Sequence, residues 1–393
     1  MAKTHYLVLD SFRGICACLV ALSHFNANSV LSNLPFFDRG EIYVDFFFVL
    51  SGFVIFANYG EKLRSGYSIG KFTLLRLGRL YPLHFCVLAA FVGIDLLQML
   101  LPFGGMAVYK PFSAPGEGIW DILANLFLVH SLHVSTYLAF NGPSWSISVE
   151  FYTYILFALI LAYTGKYYRK VIVVTAATSA ILLYNLSGEL YAKLDYGVFR
   201  CIFGFACGAL TYEVFSDVRE KIAPLTKIPR LFAAAEAAAF ICALIYITFF
   251  SSGVLSMMAP VVFGAVILVF AFEAGLISNI LKLKPFILLG TLSYSVYMNH
   301  MFISGKFFAL PARILENSFG VHIADTVNNA PVFGTDVVTG TFWEIFYLLV
   351  VIAISYLSYR VIEDPCRNWT RKFVQGETYF NGFGFLKIKN QGN

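Results

Sequence analysis

Arg76 and Arg79 stand one helical turn apart in the stretch RLGRLYPLHF (76–85), at the lip of a long apolar run. Charged side chains avoid that position in a bilayer unless they anchor topology or build a site. An anchor needs no second guanidinium on the same helix face, whereas two arginines three residues apart suit planar, bidentate capture of phosphate. Arg13, one turn into the first apolar run, extends this cationic track inward, unless it only pairs with Asp10 three residues before it. A second set of groups is His24, Asp45, Glu150 and His300, each inside an apolar run and expected at similar outer depth. An imidazole and a carboxylate at equal depth make a base and its orienter, and a histidine with a reference pKa of about 6.5 takes and returns a proton near neutrality. Phosphate-sized positive charge at one face and acid–base groups near the other describe a phosphorylated cytoplasmic donor serving chemistry at the outer face.

The elements that must hold these groups are read from composition first. The chain has 393 residues, of which 59% are hydrophobic and 13% charged, against roughly 25% charged in a soluble domain. Its mean hydropathy is +0.72. That deficit of charge runs along the whole length and places the chain in a lipid bilayer. Ten runs are long enough to cross a core of about 30 Å, near 6–27, 43–60, 80–102, 145–164, 169–187, 198–215, 232–250, 257–277, 286–308 and 342–362. An eleventh, GIWDILANLFLVHS (118–131), is short and polar and reads as re-entrant or interfacial. With it excluded, the loop lysines and arginines all fall on one side, so both termini are expected in the cytoplasm. Because lipid offers the backbone no partner, the expected fold is an all-α, polytopic membrane helix bundle of about ten transmembrane helices. The seven cysteines read as small apolar residues rather than disulfides or metal ligands, and neither a metal nor a nucleic-acid partner is expected.

Counting along the spans sets the expected depths. His24 lies about 27 Å above the entry at Tyr6, and His300 about 21 Å up its own span. Glu150 lies about 8 Å below the outer edge if Trp145 marks the interface. Asp45 starts the second span and Ser51 sits lower in it; the SGF at 51–53 also suits close helix packing. Tyr294, Tyr297 and Asn299 accompany His300, which could equally be a packing residue. Asp45, Ser51, Trp145, Tyr294, Asn299 and His300 are therefore the candidate substrate-binding residues. The long 309–341 loop, with His322, Asp325 and Asp336, reads as solvated.

Six stretches occur in order from residue 7 to about 369: LDSFRGICACLVALSHF, YVDFFFVLSGFVI, RLGRLYPLHF, PSWSISVEFYTYILF, LGTLSYSVYMNH and SYRVIEDPCRNW. With them the chain resembles the acyltransferase-3 family of multi-pass membrane acyltransferases. The resemblance implies transfer of an acyl group, usually acetyl from acetyl-CoA, to a hydroxyl of an envelope glycan or related glycoconjugate, in the bacterial inner (plasma) membrane. It implies that His24 is the catalytic histidine, that Glu150 is its acidic partner, and that Arg13, Arg76 and Arg79 hold the acyl-CoA donor. Direct attack by the acceptor hydroxyl and an acetyl-histidine intermediate both remain open. Many relatives add an esterase-type domain; here residues 1–369 are expected to form one acyltransferase domain and 370–393 a short cytoplasmic tail. The rival expectation is a transporter or flippase that moves a glycan or lipid-linked sugar without acylating it. Ser11 stands where the family usually has glycine.

Overall fold

Long apolar stretches with few breaks leave the backbone no partner but itself, and here they coil into helices. The computed structural model describes residues 5–32, 34–100, 116, 118–327 and 330–376. Its helices are α1 (Leu7–Ser23), α2 (Pro35–Asp38), α3 (Ile42–Arg64), α4 (Ile69–Leu100), α5 (Ile119–Leu126), α6 (Trp145–Tyr163), α7 (Tyr168–Ser187) and α8 (Gly197–Ile222). They continue as α9 (Pro229–Ile245), α10 (Ala259–Phe270), α11 (Leu276–Leu281), α12 (Lys284–Phe302), α13 (Leu310–Phe319), α14 (Val337–Ser358) and α15 (Asp364–Val374). Among the described residues nine helical stretches are long and apolar enough to cross a membrane: Ile42–Arg64, Ile69–Leu100, Gly142–Tyr163, Gly165–Ser187, Gly197–Lys227, Pro229–Phe250, Gly253–Phe270, Lys284–Phe319 and Val337–Val374. The chain is a multi-pass helix bundle.

The expected first span is the exception in length. α1 has 17 residues, about 26 Å, and ends at Ser23 because the chain there turns to pair with a hairpin. Eleven of its residues are buried, so it runs through the middle of the bundle. The 118–131 stretch holds no helix of membrane length among the described residues. Its helix α5 has eight residues, and the chain then breaks at Leu128 (φ +56°) into a short turn. There His130 stacks on His84 of α4, with ring centroids 6.0 Å apart.

Two close crossings set the core. α1 and α12 run parallel and touch at Gly14 and Gly290, where an added Cβ on Gly290 would stand 2.3 Å from the Asp10 carbonyl oxygen. α3 meets α8 in the same way: a Cβ on Gly52 would stand 2.0 Å from the Phe205 carbonyl, and one on Gly208 1.8 Å from that of Val49. Only glycine lets the backbones approach so closely. The packing role expected for Gly52 is thus realised. Gly290→Ala is expected to push α12 off α1 and cost about 1–3 kcal/mol. Thermal melting of the detergent-purified protein checks this, and an unchanged midpoint would refute the close crossing.

The expected solvated loop 309–341 is instead built. It holds α13, then a hairpin of β1 (Ala324–Val327) and β2 (Ala330–Phe333), antiparallel with Ala324 opposite Phe333. On its other side β2 holds the segment that follows α1: Phe333 N–H donates to the Asn26 carbonyl (2.9 Å) and Asn28 N–H donates to that of Phe333 (3.0 Å). Sequence periodicity could not show this, because a two-stranded hairpin is stable only through its tertiary partner. Of the expected tail, residues 370–374 belong to α15 and 377–393 lie outside the described residues.

Candidate functional site

At the end of the bundle where α1 begins, α1, α3, α4, α12 and α15 enclose a cavity of about 650 Å³. Its walls carry the arginines of the opening motif. Arg76 lies over the Tyr59 ring at 5.2 Å and the Phe72 ring at 5.7 Å, and its Nη2 donates to the Tyr59 hydroxyl (3.5 Å). Such stacking holds a guanidinium while leaving its edge free for an anion. Arg79, one turn on, makes no hydrogen bond or ion pair with a described residue. Arg13 is braced: its Nε donates to Ser293 Oγ (2.8 Å) and its Nη2 to the Gly290 carbonyl (3.2 Å), and Nη2 pairs with Asp10 Oδ1 at 3.1 Å. The Asp10–Arg13 pair and the cationic track therefore coexist, because a guanidinium has five N–H donors.

Arg13, Arg79, Ser293 and Tyr294 also line a smaller pocket of about 70 Å³ deeper in the bundle, so the two spaces share a wall. There Glu150 Oε1 accepts from Ser51 Oγ and Tyr154 Oη, both at 2.5 Å. α6 and α3 run side by side in the same direction, which puts residue 51 next to residue 150 and Tyr154 one turn further along. Oε2 takes no hydrogen bond from a described residue. Tyr297 roofs the pocket; its hydroxyl lies 2.8 Å from Ser146 Oγ and donates to the Pro143 carbonyl (2.9 Å).

Above this roof stands a histidine pair. The His24 and His300 rings are 5.1 Å apart, and Tyr297 packs against His300 at 5.8 Å. His24 Nδ1 lies 2.8 Å from the Val20 carbonyl oxygen. A carbonyl only accepts, so Nδ1 carries the proton and Nε2 of the neutral ring keeps its lone pair. The same logic applies to His300, whose Nδ1 is 2.6 Å from the Tyr297 carbonyl and whose Nε2 is buried without a partner. His24 is half-buried, so its Nε2 is the reachable base. Fully buried Tyr347 fixes the pair: its hydroxyl is 3.1 Å from the His300 carbonyl and 3.3 Å from that of Ala21. Phe25 stacks flat on the Tyr347 ring at 4.2 Å, and the hairpin holds Asn26 and Asn28.

The structure brings together Arg13, Arg76, Arg79, Ser51, Glu150 and Tyr294 around two adjoining spaces. It does not join Glu150 to His24. Ser146 touches Tyr297; Glu150 lies four residues further down α6 and His300 three further up α12, so about 10 Å of helix separates them. The expected equal depth failed because Trp145 is no interface anchor. It is buried, and the chain from 128 to 144 lies beyond it. Trp145 instead lies 5.1 Å under the guanidinium of Arg200. That residue also claims Asp45, with Nε–Oδ1 at 2.9 Å and Nη2–Oδ2 at 2.7 Å, both side chains fully buried. Asp45 and Trp145 are thus a cross-link between α3, α6 and α8, not a substrate contact, because both carboxylate oxygens are used. Asn299 is likewise turned away, donating to Ser358 Oγ at 2.7 Å and Ser355 Oγ at 3.4 Å on α14. The sequence reading missed Arg200, although a charge inside an apolar span was the signal to follow. It missed Tyr154 and Tyr347 because tyrosines are common along this chain and only packing distinguishes them.

Comparison with known proteins places a family model described as an acyltransferase domain over residues 6–360. "Acyltransferase MdmB" of Streptomyces mycarofaciens is 33% identical over 150 residues, 37% of this chain and 35% of that protein. "Protein 2 in picA locus" of Rhizobium radiobacter is 28% identical over 192 residues, 47% of this chain and 95% of that protein. "Putative peptidoglycan O-acetyltransferase YrhL" of Bacillus subtilis is 25% identical over 396 residues, covering 91% of this chain and 54% of that protein. The chain thus spans only part of two of these relatives. No solved structure matches it.

Proposed function

Because this chain belongs to the acyltransferase-3 family, we propose that it moves an acyl group, acetyl by preference, from cytoplasmic acyl-CoA to a hydroxyl of a cell-envelope glycan or related glycoconjugate. The family matches nearly the whole chain, which favours an enzyme over a transporter that leaves its cargo unmodified. The observation that carries the donor half of the reading is the arginine-walled cavity of about 650 Å³, which shares a wall with an inner pocket at Glu150. That volume lies within the range of sites for nucleotide-sized ligands. The cavity opens on the face where α1 begins, read as cytoplasmic in the plasma membrane of a bacterium, with both termini on that side.

In this reading the donor's phosphates lie on Arg76 and Arg79, and its amide-bearing arm runs past Arg79 to the inner pocket. Glu150 Oε2 accepts from an amide N–H of that arm, while Ser51 and Tyr154 hold the carboxylate still. For transfer the acyl end must pass Tyr297 to come within reach of an acceptor held at His24. The acceptor enters from the hairpin side and gives its proton to His24 Nε2. Its oxygen attacks the thioester carbonyl carbon, the C–S bond breaks, and the thiolate takes the proton back from the imidazolium. His300 packs beside the base and limits its rotation.

Tyr347→Phe is expected to lower kcat about tenfold with KM nearly unchanged, since it loosens the histidine pair without touching either substrate. Steady-state kinetics on membranes would show it, and an equal rise in KM would contradict the positioning role. The reading as a whole is tested with radiolabelled acetyl-CoA offered to membranes containing the protein. Label in surface glycan supports it; glycan crossing the membrane unlabelled would replace it with the transport reading.

A further inference from the structure

The arginine cavity has a second basic wall. α15 lies against α4 at Gly78, where an added Cβ would stand 2.1 Å from Thr370 Oγ1. Gly78 sits between Arg76 and Arg79, so this contact lays the two helices along one space, with Arg367 and Arg371 facing it from α15. Together with Arg13, five guanidiniums line the cavity against two carboxylates, Asp10 and Glu363. Both carboxylates are already engaged: Asp10 by Arg13 at 3.1 Å, and Glu363 by the Ser295 hydroxyl at 2.8 Å. The excess of positive charge is built in and has no counterpart among the described residues lining the cavity.

The two walls resemble each other in their state. Arg367 is braced by Asp364 (2.6 Å) and by the Tyr359 hydroxyl (3.2 Å), yet its Nε is buried without an acceptor, as is that of Arg76. Buried donors of this kind call for a partner. Arg371, one turn beyond Arg367 on the same face, is exposed, and its guanidinium makes no hydrogen bond or ion pair with a described residue. It stands to Arg367 as Arg79 stands to Arg76: one guanidinium held, one free.

We propose that Arg367 and Arg371 form a second phosphate subsite, which takes the ribose 3′-phosphate of the acyl-CoA donor while Arg76 and Arg79 take its pyrophosphate. The proposal rests on the acyl-CoA reading above. The order follows from connectivity. Arg79 lines both the cavity and the inner pocket where the thioester must go, whereas Arg367 and Arg371 line the cavity alone. The 3′-phosphate lies beyond the pyrophosphate from the thioester and therefore falls toward α15. A phosphate monoester carries nearly two charges at neutral pH, which two guanidiniums match.

The test is calorimetric titration of the purified full chain, in nanodiscs of zwitterionic lipid so that anionic headgroups do not compete. The probes are CoA and dephospho-CoA, which differ only in the 3′-phosphate. The wild type is expected to bind CoA about tenfold more tightly than dephospho-CoA. Arg371→Ala is expected to remove that preference by weakening CoA about tenfold while moving dephospho-CoA less than about twofold. Arg371→Glu, at an exposed position that tolerates it, weakens CoA further. Equal wild-type affinity for the two probes overturns the subsite, as does a variant that weakens both alike. No CoA binding by the wild type at all would instead remove the acyl-CoA reading, and this proposal with it.

Discussion

His24→Ala is expected to reduce acyl transfer by a factor of about 10²–10⁴, the usual contribution of a positioned general base. The geometry makes the expectation specific. The Val20 carbonyl fixes the proton on Nδ1, so the free Nε2 is a base without any carboxylate behind it. Alanine removes that lone pair and leaves the helix end intact, because Ala21 and the segment after His24 are held by Tyr347 and β2 through other atoms. The variant should therefore reach the membrane in normal amount and bind CoA as the wild type does. Measured transfer of labelled acetyl to glycan, normalised to folded protein, decides the matter. Full transfer by a folded His24→Ala protein would move the chemistry elsewhere, with His300 the next group to test.

The second large effect concerns stability. Asp45→Ala strips the bidentate partner from Arg200 and leaves a fully buried guanidinium with only the Glu41 carbonyl (2.9 Å), the Ala192 carbonyl (3.3 Å) and the Trp145 and Tyr191 rings. Removing one member of a buried ion pair costs about 3–5 kcal/mol, since the remaining charge stays desolvated. A large fall in folded yield and melting temperature is expected. Asp45→Leu combined with Arg200→Met should recover most of it, because no buried charge is then left alone. A substrate-binding aspartate would behave otherwise: Asp45→Ala would melt like the wild type and raise KM for the acceptor only. That outcome would restore Asp45 to the site and undo its assignment to the scaffold.

The amino-acid sequence by itself determined the bundle. Apolar runs of membrane length have one way to satisfy their backbones, so ten spans are expected from composition and spacing; among the described residues nine are helical stretches of membrane length and the first is a 17-residue helix. It also determined the chemistry on offer, because ionisable residues in apolar runs are few: Arg13, Arg76, Arg79, His24, Glu150 and His300 were all readable. Which of them meet was decided only by tertiary structure. Depth along a helix is known only relative to an anchor, and Trp145, the anchor used, is buried under Arg200 rather than at the membrane surface. A shift of two turns, about 10 Å, separates a base from its supposed orienter and puts Glu150 with Ser51 and Tyr154 instead. Rotation about each helix is equally invisible in one dimension. It turned Asn299 to α14 and Asp45 to Arg200, brought the α15 arginines opposite the α4 pair, and set Tyr347 between the two histidine-bearing helices. Such contacts join residues up to some three hundred positions apart and arise from side-chain packing, which local sequence does not encode.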